Sequence, residues 1–122
     1  MQQRLMIADD SAVICKVAKR ILGGMNFQVV EASNTGEALM MCEAQLPAIL
    51  IVDAGMPDAL SLIHSVRQME GGDKVRIYYC TIENDIKVLM VGKRAGADDF
   101  LIKPFDRQIL ENAFGRFAAA AA

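Results

Sequence analysis

The sequence contains no tryptophan, one histidine and three cysteines, and its net charge is only −2. Because basic residues are not in excess, nothing points to nucleic acid or an anionic membrane as a partner. The cysteines are odd in number and form no C-x-x-C pair, which favours a reducing compartment. No apolar run approaches the length of a membrane span, and no signal peptide is evident. We therefore expect a cytoplasmic protein.

What the chain does have is apolar content, 53% of 122 residues, which suffices for the core of one domain. Short apolar runs alternate five times with segments whose apolar residues recur at helical spacing. This alternation predicts a (βα)5 protein of the α/β class, with a parallel sheet covered by helices on both faces. No linker or repeat divides the chain, so we interpret residues 1–122 as a single domain.

Helical spacing also predicts which side chains face the sheet. In the first helix the predicted inward residues include Val13 and Val17, and the helix is expected to stop at Gly23-Gly24. The fourth helix is predicted to begin within Glu83-Asn84-Asp85. Its predicted inward side chains are Ile86, Leu89 and Met90.

The most informative run is Ala48–Asp53, in which five apolar residues lead into one carboxylate. A continuous apolar run is typical of a strand that is covered on both faces. Ligands bind at the carboxyl ends of the strands in such sheets. Asp53 alone would equally suit a strand end or a turn. The other predicted strands, which also end in polar groups, change this interpretation.

Five polar side chains follow four of the predicted strands: Asp9 and Asp10 the first, Asp53 the third, Thr81 the fourth and Lys103 the fifth. Parallel strands end at one edge of a sheet, so we expect these side chains to meet there. Each has a simpler explanation alone, as a helix cap, a turn residue or a solvated charge. Together they predict a functional cluster.

The chemistry of the cluster follows from its residue types. Crowded carboxylates repel one another unless a cation lies between them, and Mg²⁺ prefers oxygen ligands. Asp10 with Asp53, or Asp9 in place of Asp10, can bind such an ion, and a backbone carbonyl near Gly55 can add an oxygen. A carboxylate can attack phosphorus and form an aspartyl phosphate, for which Asp53 is the natural nucleophile. The lysine and the threonine of the cluster supply a fixed positive charge and a hydroxyl donor.

Four segments, Met6–Ser11, Ile51–Pro57, Thr81 and Gly96–Phe105, resemble the motifs of the response-regulator receiver domain of bacterial two-component signalling. The resemblance spans essentially the whole chain and is of the stand-alone, chemotaxis-regulator-like type. It implies a flavodoxin-like, doubly wound parallel sheet with strand order 2-1-3-4-5. It also implies a cis peptide bond between Lys103 and Pro104.

The resemblance implies a role for each member of the cluster. Asp53 would take a phosphoryl group from a sensor histidine kinase or a histidine phosphotransfer protein. Asp9 and Asp10 would form the Mg²⁺ site, and Lys103 would be the lysine of the phosphoacceptor site.

The family's switch adds an aromatic residue to this set. The phosphoryl group would draw in the hydroxyl of Thr81, and Phe100 would turn into the space that this vacates. The surface of the fourth helix, fifth strand and fifth helix then changes for a downstream protein target. The alternative for Phe100 is a plain core aromatic.

The chain departs from the family pattern in two places. The loop after Pro57 is shorter than usual, which affects the start of the third helix. Ile82 stands where the family has a small residue, and we expect it to restrict the access of water and small phosphodonors. The two positions that the family links to the lifetime of the phosphoryl group carry Gly55 and Glu83.

Other functions fit less well. A degenerate receiver that binds proteins without phosphate is the main alternative, but the set of five polar side chains is complete. A phosphatase with an aspartyl nucleophile needs a second acid two residues further on, where this chain has Gly55. A flavin-binding protein is disfavoured because Asp9 and Asp10 would repel its phosphate. We therefore interpret the chain as a stand-alone receiver and not as a turnover enzyme.

Overall fold

The computed structural model describes residues 2–82 and 84–121. Five parallel strands form one sheet in the order β2-β1-β3-β4-β5, which confirms the predicted α/β class and strand order. The strands are β1 (Gln3–Ala8), β2 (Phe27–Ala32), β3 (Ile49–Asp53), β4 (Arg76–Thr81) and β5 (Asp99–Ile102). The helices are α1 (Ala12–Gly24), α2 (Thr35–Ala44), α3 (Ala59–Gln68), α4 (Ile86–Ala95) and α5 (Arg107–Ala121), with a short 3₁₀ turn at Gly72–Lys74.

The central strand β3 explains the continuous apolar run of the sequence. All five of its residues are buried, and their side chains alternate between the two faces of the sheet. Leu50 and Val52 join the core beneath α2 and α3. Ile49 and Ile51 join the core beneath α1 and α5. Because helices cover both faces, neither set of alternating side chains is polar.

Helix α1 follows its prediction in part, since Ala18, Ile21 and Leu22 are buried as expected. Val13 and Val17 are 70% and 40% exposed, whereas Cys15 and Ala18 are buried. The apolar residues here cover more than one stripe of the helix, and the stripe that faces the sheet consists of Cys15, Ala18, Ile21 and Leu22. The helix ends at Gly24, within the predicted stop at Gly23-Gly24.

Helix α4 also differs from its prediction. Ile86 and Met90 are 71% and 44% exposed, and Leu89 is half-buried. The buried residue of this helix is Gly92, which apolar spacing does not reveal because glycine has no side chain to bury. The predicted start is confirmed at Asp85, which caps the helix by accepting a hydrogen bond of 2.8 Å from the backbone N–H of Lys87, whereas Glu83 lies outside the described residues.

The other helices follow their predictions closely. Asn34 caps α2 by accepting a hydrogen bond from the backbone N–H of Glu37, 2.7 Å away. The short loop after Pro57 enters α3 through Asp58, which adopts the left-handed conformation with φ 62°. The run of alanines at the end of the chain prolongs α5 to Ala121. Among the helices of the described ranges, none has the length and apolarity to cross a membrane.

One arginine binds the segments that lead into β4 and β5 at the amino edge of the sheet. Arg67 at the end of α3 donates to the carbonyls of Gly72 and Val75, each at 2.7 Å, and to the carbonyl of Gly96 at 2.9 Å. Its guanidinium also pairs with Asp98 at 2.7 Å. These bonds tie α3 to the entries of β4 and β5.

We expect Arg67→Ala to lower the free energy of unfolding by about 2–3 kcal/mol, because several acceptors lose their charged donor. Urea denaturation at neutral pH measures this loss. Arg20→Ala on the exposed face of α1 is the matched control and should change stability by less than about 0.5 kcal/mol. Equal stability of the Arg67 variant and the wild type would show that the bonds contribute nothing.

Candidate functional site

The carboxyl edge of the sheet brings together side chains that are far apart in the sequence. Asp53 ends β3 and Thr81 ends β4, while Asp9 and Lys103 directly follow β1 and β5. Since β1, β3 and β4 are neighbours in the parallel sheet, their ends lie side by side. The Nζ of Lys103 reaches across this edge and lies 2.8 Å from Asp9 Oδ2 and 3.2 Å from Asp53 Oδ1. The bond between Lys103 and Pro104 is cis, as the family resemblance implies.

Asp9 is held on both of its carboxylate oxygens. Its Oδ1 accepts a hydrogen bond of 2.9 Å from the backbone N–H of Ser11, and its Oδ2 pairs with Lys103. Asp9 is only 2% exposed, so these contacts offset the cost of burying its charge. The neighbouring Asp10 is exposed at the mouth of the site.

Asp53 is 7% exposed, and its Oδ1 is held by two contacts. Its Oδ1 accepts from the backbone N–H of Gly55 at 3.1 Å and contacts the ammonium of Lys103. The two contacts on Oδ1 fix the orientation of the carboxylate.

Lys103 carries a charge that the site itself stabilises. Burial alone would lower the pKa of its ammonium, but hydrogen bonds to Asp9 and Asp53 outweigh burial and raise the pKa above its ordinary value. The ammonium therefore stays charged at neutral pH.

The three acids can hold a cation together. Asp9, Asp10 and Asp53 each present a carboxylate oxygen, and these oxygens lie within 4.8 Å of one another. One ammonium balances only one of three carboxylates, so the cluster favours a divalent ion. Hard oxygen donors of this kind fit Mg²⁺, which also keeps several water ligands.

A pocket of about 270 Å³ opens beside Asp53. Its lining consists of Asp53, Ala54, Gly55, Tyr79, Thr81, Ile82 and Val88. Thr81 is buried, whereas Ile82 is 75% exposed at the edge of the pocket. Phe100 lies on β5, half-buried against the core beneath α2 and α3. The structure thus places Thr81 beside the acceptor and Phe100 one strand further away.

Sequence reasoning assigned no role to Tyr79, although it lines this pocket. The available signal is its position two residues before Thr81, because alternate residues of a strand share one face of the sheet.

Comparison with known proteins identifies the class to which this fold and site belong. The family model described as response regulator receiver domain matches residues 5–114. The chain is also 31% identical over 108 residues to the chemotaxis protein CheY of Bacillus subtilis, covering 86% of this chain and 88% of CheY. The chain therefore belongs to the receiver domain family of response regulators.

Solved structures show the same fold. A protein of Chloroflexus aurantiacus assigned as a response regulator superposes with a TM-score of 0.88 and 31% identity, covering 98% of this chain and 99% of that one. The receiver domain of sensor histidine kinase PA1611 from Pseudomonas aeruginosa superposes with a TM-score of 0.86 and 24% identity, covering 98% and 99%. That structure contains a magnesium ion coordinated in its active-site cleft.

Several relatives are much longer than this chain. It is 31% identical over 112 residues to the probable transcriptional regulator ycf27 of Guillardia theta, covering 90% of this chain but 43% of that protein. The chain thus spans less than half the length of the first curated relatives it matches.

All three cysteines of the chain are buried and free, and two lie close to the site. Cys15 Sγ lies 3.5 Å from the backbone carbonyl of Asp9, and Cys80 precedes Thr81. Burial raises the pKa of the Cys15 and Cys42 thiols to about 11 and that of Cys80 to about 12. Since the thiolate is the reactive form, the native thiols should be inert near neutral pH.

We expect iodoacetamide at pH 8 to alkylate the native protein only slowly and to alkylate all three thiols rapidly in urea. Mass spectrometry of the intact chain counts the adducts. Met40→Cys is the positive control, because Met40 is 67% exposed on α2 and should take one adduct without urea. Rapid labelling of the native wild type would contradict the burial of these thiols.

Proposed function

We propose that this chain is a cytoplasmic, stand-alone receiver that is switched by phosphorylation of Asp53. The donor is a phosphohistidine of a sensor histidine kinase or a histidine phosphotransfer protein. The observation that carries the proposal is the single ammonium of Lys103, shared between buried Asp9 and the acceptor Asp53. The likeness to CheY, of which the chain covers 88%, supports a receiver that acts as a single domain over residues 1–122.

In the proposed transfer, a carboxylate oxygen of Asp53 forms a bond to phosphorus. The bond between phosphorus and the donor imidazole nitrogen breaks, and its electron pair stays on the nitrogen. The hydrogen bond from Gly55 and the contact with Lys103 hold the other oxygen, so that Asp53 meets the phosphorus in a fixed orientation. The phosphoryl group stays covalently attached to the protein as an acyl phosphate, so the chain acts as a phosphoacceptor and not as a turnover enzyme.

A magnesium ion supplies charge neutralisation for the transferring phosphoryl group. Asp10 and Asp53 would hold it directly, with Asp9 as the third acid and the backbone carbonyl of Gly55 as a further oxygen. Because Asp9 already pairs with Lys103, exposed Asp10 is the acid with the most freedom to bind. The ion in the related cleft of PA1611 supports this proposal.

Lys103 and Thr81 would respond to the new group. The ammonium that contacts Asp53 can pair with a phosphoryl oxygen, and the hydroxyl of Thr81 can donate to another. The proposed switch then continues from Thr81 to Phe100, whose ring is half-buried against the core.

The output surface that we propose consists of α4, β5 and α5. On α4, Ile86, Met90 and Val91 are exposed apolar side chains, and they line a shallow groove together with Lys87 and Arg94. An apolar strip beside basic residues suits a protein target and not a nucleic acid, whose phosphates require a larger basic surface.

We expect Asp53→Asn to abolish labelling by acetyl phosphate, because the amide cannot act as the nucleophile. The intact mass of the wild type should increase by one phosphoryl group with Mg²⁺ and remain unchanged with EDTA. Asp58→Asn, at an exposed acid beyond the acceptor loop, is the matched control and should label normally. Labelling of the Asp53 variant, or labelling of the wild type without Mg²⁺, would contradict the proposal.

We expect Ile82→Ala to speed labelling by acetyl phosphate several-fold, because the exposed Ile82 side chain narrows the approach to Asp53. Time courses of intact mass give the rates. Ile86→Ala removes an equally exposed isoleucine from α4 and should leave the rate unchanged. If the Ile82 variant labels at the wild-type rate, the side chain does not restrict access.

A further inference from the structure

Tyr79 lies where the acceptor pocket meets the core. It is 5% exposed and points to the same face of β4 as Thr81. In the parallel register its neighbours are Val52 on β3 and Phe100 on β5. A large aromatic residue therefore stands between the acceptor strand and the strand that carries the proposed switch aromatic.

One side of the Tyr79 side chain faces the pocket beside Asp53. Tyr79 lines it together with Asp53 and Thr81. Burial raises the pKa of its phenol, and the negative charge of Asp53 raises it further, so the phenol is neutral and senses the acceptor's charge. A change of charge or volume at Asp53 thus takes place next to this side chain.

The other side of the Tyr79 side chain packs against α4. A Cβ atom at Gly92 would fall 2.7 Å from Cγ and 2.9 Å from Cε2 of the ring, and closer still to Cδ2. The ring therefore packs directly on the backbone of α4. Val88, one turn earlier on the helix, lines the acceptor pocket as well. No side chain of residue 92 intervenes to absorb a movement of the ring.

We propose that Tyr79 is a positioning residue that transmits the state of Asp53 directly to α4, alongside the route through Phe100. This inference rests on the proposed function, since it requires that Asp53 be modified. A phosphoryl group on Asp53 changes the wall of the pocket that Tyr79 forms. Because the ring lies against Gly92, its displacement moves α4, whose outer face carries exposed Ile86 and Met90. Tyr79 and Phe100 are neighbours on the same face of the sheet because they are paired in register.

The test uses beryllofluoride with Mg²⁺ as a stable mimic of the phosphoryl group. Fluorine NMR reports its binding at Asp53, and amide shifts report the response of Val88–Ala95. Tyr79→Leu removes the ring, and Tyr79→Phe keeps it. Tyr78→Leu is the matched control, because Tyr78 packs on Phe114 on the opposite face of the sheet, with ring centroids 4.6 Å apart.

For Tyr79→Leu we expect bound beryllofluoride but amide shift changes on α4 that are at least about twofold smaller than in the wild type. Tyr79→Phe should restore the response, and Tyr78→Leu should keep it even if the variant is less stable. Gly92→Ala provides a second test that keeps Tyr79, and it should also weaken the response, since the added methyl separates helix and ring.

A full α4 response in Tyr79→Leu with beryllofluoride bound would overturn this inference and leave the proposed function intact. Absence of bound beryllofluoride in the wild type would instead contradict the proposed function, and the inference with it. Equal losses in Tyr78→Leu and Tyr79→Leu would also overturn the inference, because a general weakening of the core would then explain them.

Discussion

The structure depends on one ammonium placed between two buried carboxylates. Without Lys103, Asp9 and Asp53 would carry adjacent negative charges in a site that water barely reaches, which is energetically costly. With it, the acids stay close enough for Asp10 to complete a set of oxygen ligands. The pairing thus serves stability and proposed chemistry at once, because the groups that bind one another are also those that a phosphoryl group would rearrange.

The parallel sheet makes this pairing possible over long distances in the chain. Asp9 and Lys103 are far apart in sequence, yet both leave the sheet at its carboxyl edge. Helices on both faces bury the strands, so charged side chains can emerge only at their ends. The site is therefore a consequence of the topology, and the loops only adjust its details, as the left-handed Asp58 does where α3 begins.

Strand ends were predictable from the sequence, but helix phases were predictable only where apolar side chains form a single stripe. Asp53 and Lys103 could be placed together because an apolar run has one obvious end. Val13 and Val17 could not be placed correctly, since apolar residues cover more than one stripe of α1 and tertiary packing decides which stripe is buried. The inward face of α4 centres on Gly92, which leaves no hydrophobic signal, and the fit of Tyr79 beneath it is a property of tertiary packing.

The hydrogen bonds and the ion pair of Arg67 anchor two strands of the sheet at their amino ends. They stitch the entries of β4 and β5 to α3 at Val75, Gly96 and Asp98. The amino ends of both strands are therefore held by the same side chain, whereas their carboxyl ends lie beyond its reach. The contacts of Arg67 and the polar groups of the site therefore lie at opposite edges of the sheet, so that the anchoring of β4 and β5 is separate from the chemistry at their far ends.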